Sequence, residues 1–137
     1  MLPPTIFWTA WGSTSPCSER LGFSLVIESF NGTAWSAIKA RIEATDASVI
    51  FAQETHLGPG AVDGASHYLK VRGWNSLWSA ALPGANATSW RGGAFIAVLG
   101  DFIGLSQVVG LHHELVPGRI VAAKVECPGY PAFLGAS

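Results

Sequence analysis

The chain alternates between apolar runs and polar breaks with a rhythm that changes along its length. Residues 22–31, GFSLVIESFN, read as a strand: Phe23, Leu25 and Ile27 alternate with Ser24, Val26 and Glu28, and Asn31-Gly32 ends the run. Residues 33–44, TAWSAIKARIEA, switch to helical spacing. Trp35, Ile38 and Ile42 fall at i, i+3 and i+7, and Thr33 is placed to cap the first turn. Residues 47–54, ASVIFAQE, follow as a strand whose continuous Val49-Ile50-Phe51-Ala52 core predicts burial on both faces. Strand, helix and strand in this order predict a βαβ unit with parallel strands.

Further on, residues 56–69 carry so much glycine and proline that they read as loop with at most a short helical turn. Residues 70–82 read as a short strand anchored by Trp74 and Trp78, and 83–93 as a turn-rich loop. Strands follow at 94–100, within 102–114, at 118–126, and again after the Pro128-Gly129 turn. No helix intervenes after residue 94, so these late strands are expected to be antiparallel. Residues 1–21, broken by Pro3, Pro4 and a Ser/Thr/Gly-rich second half, read as an irregular leader to one domain over 22–137. The fold class predicted is α/β (α+β).

The parallel pair gives this pattern chemical content. Parallel strands end at one edge of their sheet, so Asn31 and Glu54 emerge side by side there, and in open α/β sheets that edge is where ligands bind. Magnesium takes one or two carboxylates, keeps several waters and draws its other ligands from phosphate. A Glu and an Asn at adjoining strand ends suit such a site. The residues alone also allow a plainer account, in which Glu54 leads into a solvated loop. His56, two residues on, is a candidate neighbour of the site or a loop residue.

Composition narrows the partners. Charged residues are only 12% of the 137, against roughly 25% in a usual soluble domain, and hydrophobic residues are 49%. The formal charge is −1, with the basic residues scattered, so there is no electrostatic footprint of a nucleic-acid-binding patch. Cys17 and Cys127 lie far apart and read as free, reduced thiols, which favours an intracellular setting. The start lacks the positive region of a signal peptide. No run reaches the roughly 18 apolar residues of a membrane helix.

The segment ESFNGTAWSAIKARIEATDASVIFAQETHL resembles the opening of the endonuclease/exonuclease/phosphatase family, whose fold is that of deoxyribonuclease I. The matching positions are Asn31-Gly32 at the end of a strand, Trp35 near the start of a helix, and Gln53-Glu54 at the end of the next strand. GWNSLWSAA (73–81), RGGAFIAV (91–98) and PGRIVAAKVE (117–126) resemble later family segments in the same order. The resemblance spans residues 22–134. It implies the N-terminal portion of a four-layer α/β sandwich that hydrolyses phosphate esters. Glu54 would then hold a catalytic Mg2+ or Mn2+, and Asn31 would help to position metal or phosphate. Nucleic acid or another phosphate ester would be the substrate of the full-length protein.

The family's Asp-x-Asn block and its terminal Ser-Asp-His block do not occur in the 137 residues. Asp101 lies in a Gly-Asp-Phe triplet that resembles the former, but Ile103 stands where Asn is needed and the triplet follows the Gly-Gly strand too early, so the match is coincidental. Several expectations follow. These residues alone are inactive. The inner face of the first sheet is left uncovered, which drives self-association. His112 and His113, as neighbours on a strand, point to opposite faces and share no ligand. Trp74, Trp78 and Trp90 serve the core rather than stack on bases, and Arg91 is a solvated loop residue. Two other readings fit: a non-catalytic α/β module that binds a partner through its apolar sheet face, or the remnant of a gene, such as that of a retroelement endonuclease.

Overall fold

The structure, a computed structural model, describes residues 7–10, 26–32, 34–86, 88–100, 103–128 and 133–136. Thr33, Cys17 and Asp101 lie outside the described residues.

Strand β2 (Ile27–Asn31), helix α1 (Trp35–Ala44) and strand β3 (Val49–Gln53) form the expected βαβ unit, with β2 and β3 parallel and Asn31 level with Gln53. Ile38 and Ile42 are the buried face of α1, and Trp35 packs beside them. Helix α2 (Pro59–Val71) corrects the loop expected over 56–69. Gly58 precedes it, Pro59 occupies its first turn, and Gly60 and Gly64 lie on its exposed side. Proline at a helix start removes only an amide that has no partner there. Val62, Ala65 and Leu69, at i, i+3 and i+7, face the core, and that burial offsets the low propensity of the two interior glycines.

The chain then forms β4 (Trp74–Ser79), a small hairpin of β5 (Leu82–Pro83) and β6 (Trp90–Arg91), and β7 (Ala94–Leu99). The central sheet has the order β2-β3-β7-β4, with β7 antiparallel to both neighbours. Thus β4 runs in the same direction as β3, and the C-terminal ends of β2, β3 and β4 share one edge. A second sheet has the order β1-β11-β10-β8, built from β1 (Phe7–Ala10), β8 (Gly104–Ser106), β10 (Ile120–Glu126) and β11 (Phe133–Ala136), and β9 (Glu114–Val116) also pairs with β10. All its pairings are antiparallel. Four residues of the expected irregular leader therefore belong to a strand.

Side-chain alternation sorts the central sheet between two cores. Ile50, Ala52, Phe95 and Ala97 face the helices with Phe30, Trp74 and Trp78. Val49, Phe51, Ile96 and Val98 face the second sheet and meet Val121, Ala123, Val125 and Cys127. The order of layers is helices, four-stranded sheet, five-stranded sheet. The expectation of an uncovered inner sheet face is thereby corrected: Val49, Phe51, Ile96 and Val98 are 0% exposed because β10 lies over them. Burying each such side chain contributes about 1.5–3 kcal/mol. Exposed large apolar side chains instead gather over 109–120, at Val109, Leu111, Leu115, Val116 and Ile120. No helix among the described residues is long and apolar enough to cross a membrane.

Cys127 is a free, buried thiol, and burial pushes its pKa up. On the far side of α1, Glu28 accepts hydrogen bonds from Thr45 and Arg41, tying β2 to the helix. The Thr45 hydroxyl foremost, and then Arg41, hold the Glu28 carboxyl below its ordinary value against the opposing effect of burial.

Candidate functional site at the C-terminal edge of the central sheet

At the end of β3 the buried run stops and the backbone turns sharply. Glu54 has φ 56° and His56 has φ 55°; among the described residues they are the only non-glycine residues with positive φ. A left-handed conformation costs an L-residue roughly 1–2 kcal/mol, and such strain gathers where a function requires it. The two strained residues bracket Thr55, which is buried and whose Oγ1 accepts a hydrogen bond from the amide of Leu57. The strand does not persist to His56, yet the turn still swings its ring back. His56 Nε2 lies 3.5 Å from Glu54 Oε2.

A pair of left-handed glycines holds this turn. Thr55 N donates to Gly93 O, and His56 N donates to Gly92 O. Gly92 and Gly93 have φ 77° and 88°, and a Cβ on Gly93 would sit 2.2 Å from Thr55 Oγ1. The Gly-Gly pair singled out in the sequence therefore exists to let two backbones meet. Gly93 N in turn donates to Gly118 O, Gly118 N to Ser79 Oγ, and Ser79 Oγ to Glu114 Oε1. A continuous hydrogen-bonded chain thus runs from the end of β3 to the start of β9.

The electrostatics of the Glu54–His56 pair follow from its partners. His56 Nδ1 lies 2.9 Å from Trp90 O, which can only accept, so Nδ1 carries the proton. Nε2 is then the nitrogen that faces the carboxylate. With a neutral ring, two lone pairs converge, and the contact becomes attractive only when a positive charge stands between them, either a proton on Nε2 or a cation. A ring nitrogen presented while the other donates to a carbonyl is the usual arrangement of a metal-facing histidine. Glu54 is 36% exposed and His56 39%, so both are open to solute. The carboxylate emerges from the buried strand rather than being buried with it.

Asn31 stands at the same edge, since Gly32 N donates to Gln53 O, one residue before Glu54. It lines a groove of about 430 Å3 with Phe30, Gly32, Ile38 and Arg41, and Glu54 does not line that groove. The structure thus joins Glu54 directly to His56, while Asn31 is a neighbour through the strand ends. Trp74 and Trp78 are core residues, as expected. Trp90 is not: it is 38% exposed and its ring lies over Gly58, where an added Cβ would come within 2.7 Å of it. Its ring covers Gly58 while its carbonyl holds His56. Arg91 and Arg119, both exposed, flank the Gly92–Gly118 crossing and form no ion pair among the described residues.

His112 and His113 correct another expectation. They precede β9 rather than lie in a strand, and their rings stack with centroids 4.5 Å apart. No periodicity argument could have found this, because the contacts that place them come from β4, 35 residues earlier in the chain. No family model matches the chain, and no curated protein or solved structure matches it either.

Proposed function

We propose that this chain supplies the metal-holding part of a divalent-metal-dependent phosphodiesterase of the endonuclease/exonuclease/phosphatase type. One observation carries the reading. The C-terminal edge of a parallel strand pair brings Asn31 and Glu54 out together, and Glu54 is held there in a strained backbone with its carboxylate converging on His56. Glu54 offers what a hard cation takes, a carboxylate open to solvent, where waters and phosphate oxygens would complete the coordination. Bound there, Mg2+ would polarise a phosphoryl oxygen and neutralise charge at the leaving oxygen.

The chain's own residues would divide the remaining work. Glu54 fixes the cation, and Asn31 orients the phosphate side of the site. His56 keeps Nε2 directed at the carboxylate because Trp90 O holds its other nitrogen. Arg91 and Arg119 supply positive charge for a phosphate, and exposed Trp90 offers a face on which a base or other flat group can stack. No residue among these plays the part of the base that activates water, so the 137 residues are expected to bind but not to cleave. A partner-binding module would have to use a surface other than the inner sheet face, which is covered.

The test is thermal unfolding with and without Mg2+ or Mn2+. At 100 times its Kd a cation that binds only the folded state adds about 2.7 kcal/mol. The wild-type chain gains this stabilisation and Glu54→Gln does not. Equal gains in both proteins would defeat the proposal.

A further inference from the structure

A second group of side chains, on the same edge but on different elements, is built as a metal site of another kind. His112, His113 and Glu114 are, among the described residues, the trio whose potential ligand atoms all lie within 4.8 Å of one another. We propose that these three residues bind a zinc-class divalent transition ion, independently of the function proposed for Glu54.

The supporting contacts carry the argument. His113 Nε2 lies 2.9 Å from Trp78 O and must donate to it, which fixes the tautomer and leaves Nδ1 as a lone-pair donor. That is the outer arrangement typical of a ligating histidine. At present Nδ1 lies 2.9 Å from Gln107 Nε2, an exposed amide that can rotate away. Glu114 is held from behind: Oε1 accepts from the fully buried hydroxyl of Ser79, leaving Oε2 directed forward, 4.0 Å from His112 Nδ1. His112 Nδ1 accepts from the amide of Glu114 at 3.1 Å, so its lone pair lies on the side of Glu114 Oε2, and a cation would take that lone pair in place of the amide. The backbone is fixed too, since Ala122 N on β10 donates to His113 O.

Two imidazoles and one carboxylate form the donor set of an open three-ligand zinc site, with a fourth position left for water or substrate. Imidazole selects zinc, copper or nickel rather than magnesium. Ligands at about 2.0 Å in a tetrahedron stand about 3.3 Å apart. The trio therefore needs only a closing of its side chains, and exposed His112 is free to make that movement.

The experiment titrates the 137-residue chain with Zn2+ by calorimetry in the presence of excess Mg2+, and repeats the titration with Co2+ by visible absorption. One Zn2+ per chain is expected, with the intense visible bands of four-coordinate Co2+. His112→Ala removes a mostly exposed ring and leaves the fold intact. Glu114→Gln keeps an acceptor for Ser79. Each should weaken Zn2+ binding at least about 10-fold, and Glu54→Gln should leave it unchanged. Absence of stoichiometric Zn2+ binding would overturn the proposal, as would unchanged affinity in either His112→Ala or Glu114→Gln, or a loss caused by Glu54→Gln.

Discussion

Two turns at one edge of the central sheet reach a similar end by opposite means. After β3, the backbone of Glu54 and His56 is strained and their side chains meet solvent. Before β9, the backbone at 112–114 has no such strain, and the side chains of His113 and Glu114 are tied down by Trp78 O and Ser79 Oγ. In the first turn main-chain contacts fix position, with Trp90 O holding one nitrogen of His56, and leave the Glu54 carboxylate open to solvent. In the second, side-chain contacts fix the polar heads themselves. Strain stored in a backbone is thus consistent with a site that must stay open to a hydrated cation. A hydrogen-bonded scaffold suits ligands that must keep a set tautomer.

The comparison can be broken first at its glycine support. Gly93→Ala forces a Cβ against Thr55 Oγ1 at a φ that L-residues avoid, and should destabilise the protein by more than about 2 kcal/mol in urea unfolding. Gly110→Ala, where φ is also positive but nothing lies within 4 Å, should cost only about 1 kcal/mol. Similar losses at the two positions would show that the close approach at Gly93 is not what secures the Glu54 turn.

Next comes the side-chain scaffold. Ser79→Ala removes the donor to Glu114 and strands the amide of Gly118. It should cost about 1–3 kcal/mol and free the Glu114 side chain, visible as averaged couplings in its NMR signals. Smaller still is relief of strain at the first turn. Asn tolerates a left-handed backbone better than Glu, so Glu54→Asn should raise stability without metal by up to about 1 kcal/mol. A clear loss instead would mean that the Glu54 side chain serves stability rather than a ligand.

The smallest effect separates both turns from the acid response of the fold. Glu28, remote from either turn, has its carboxyl held below its ordinary value of 4.5 by Thr45 and Arg41. Its folded pKa is depressed, so its stabilisation is fully present above 4.5 and fades as pH falls through the lower folded value. Glu28→Gln should flatten the stability profile in that window alone. An unchanged profile would place the acid sensitivity elsewhere.

Much of the first turn was legible in the sequence, because the βαβ unit is local: a period-2 run, a 3.6-period run and a buried run fix where Asn31 and Glu54 emerge. What could not be read was the twist that joins Glu54 to His56. It depends on Gly92 and Gly93, about forty residues later. Helix α2 was hidden by Gly58, Pro59, Gly60 and Gly64, which mark a loop in isolation but here start the helix or sit on its open side, while Val62, Ala65 and Leu69 secure it. The His112–Glu114 cluster was hidden by a strand assumption that made neighbouring rings diverge. The covered inner face was missed for a related reason: the pairing of β10 with β8, β9 and β11 builds a second sheet from segments that individually look like isolated late strands.

A hard divalent cation held by Glu54 at the strand edge would perturb the amides around it. Titrating Mg2+ into the isotope-labelled chain and following its amide signals tests this most directly. The account predicts saturable shifts at Gln53–His56 and at Asn31 and Gly32, abolished in Glu54→Gln. Signals there that stay still, or that move equally in the variant, would contradict it.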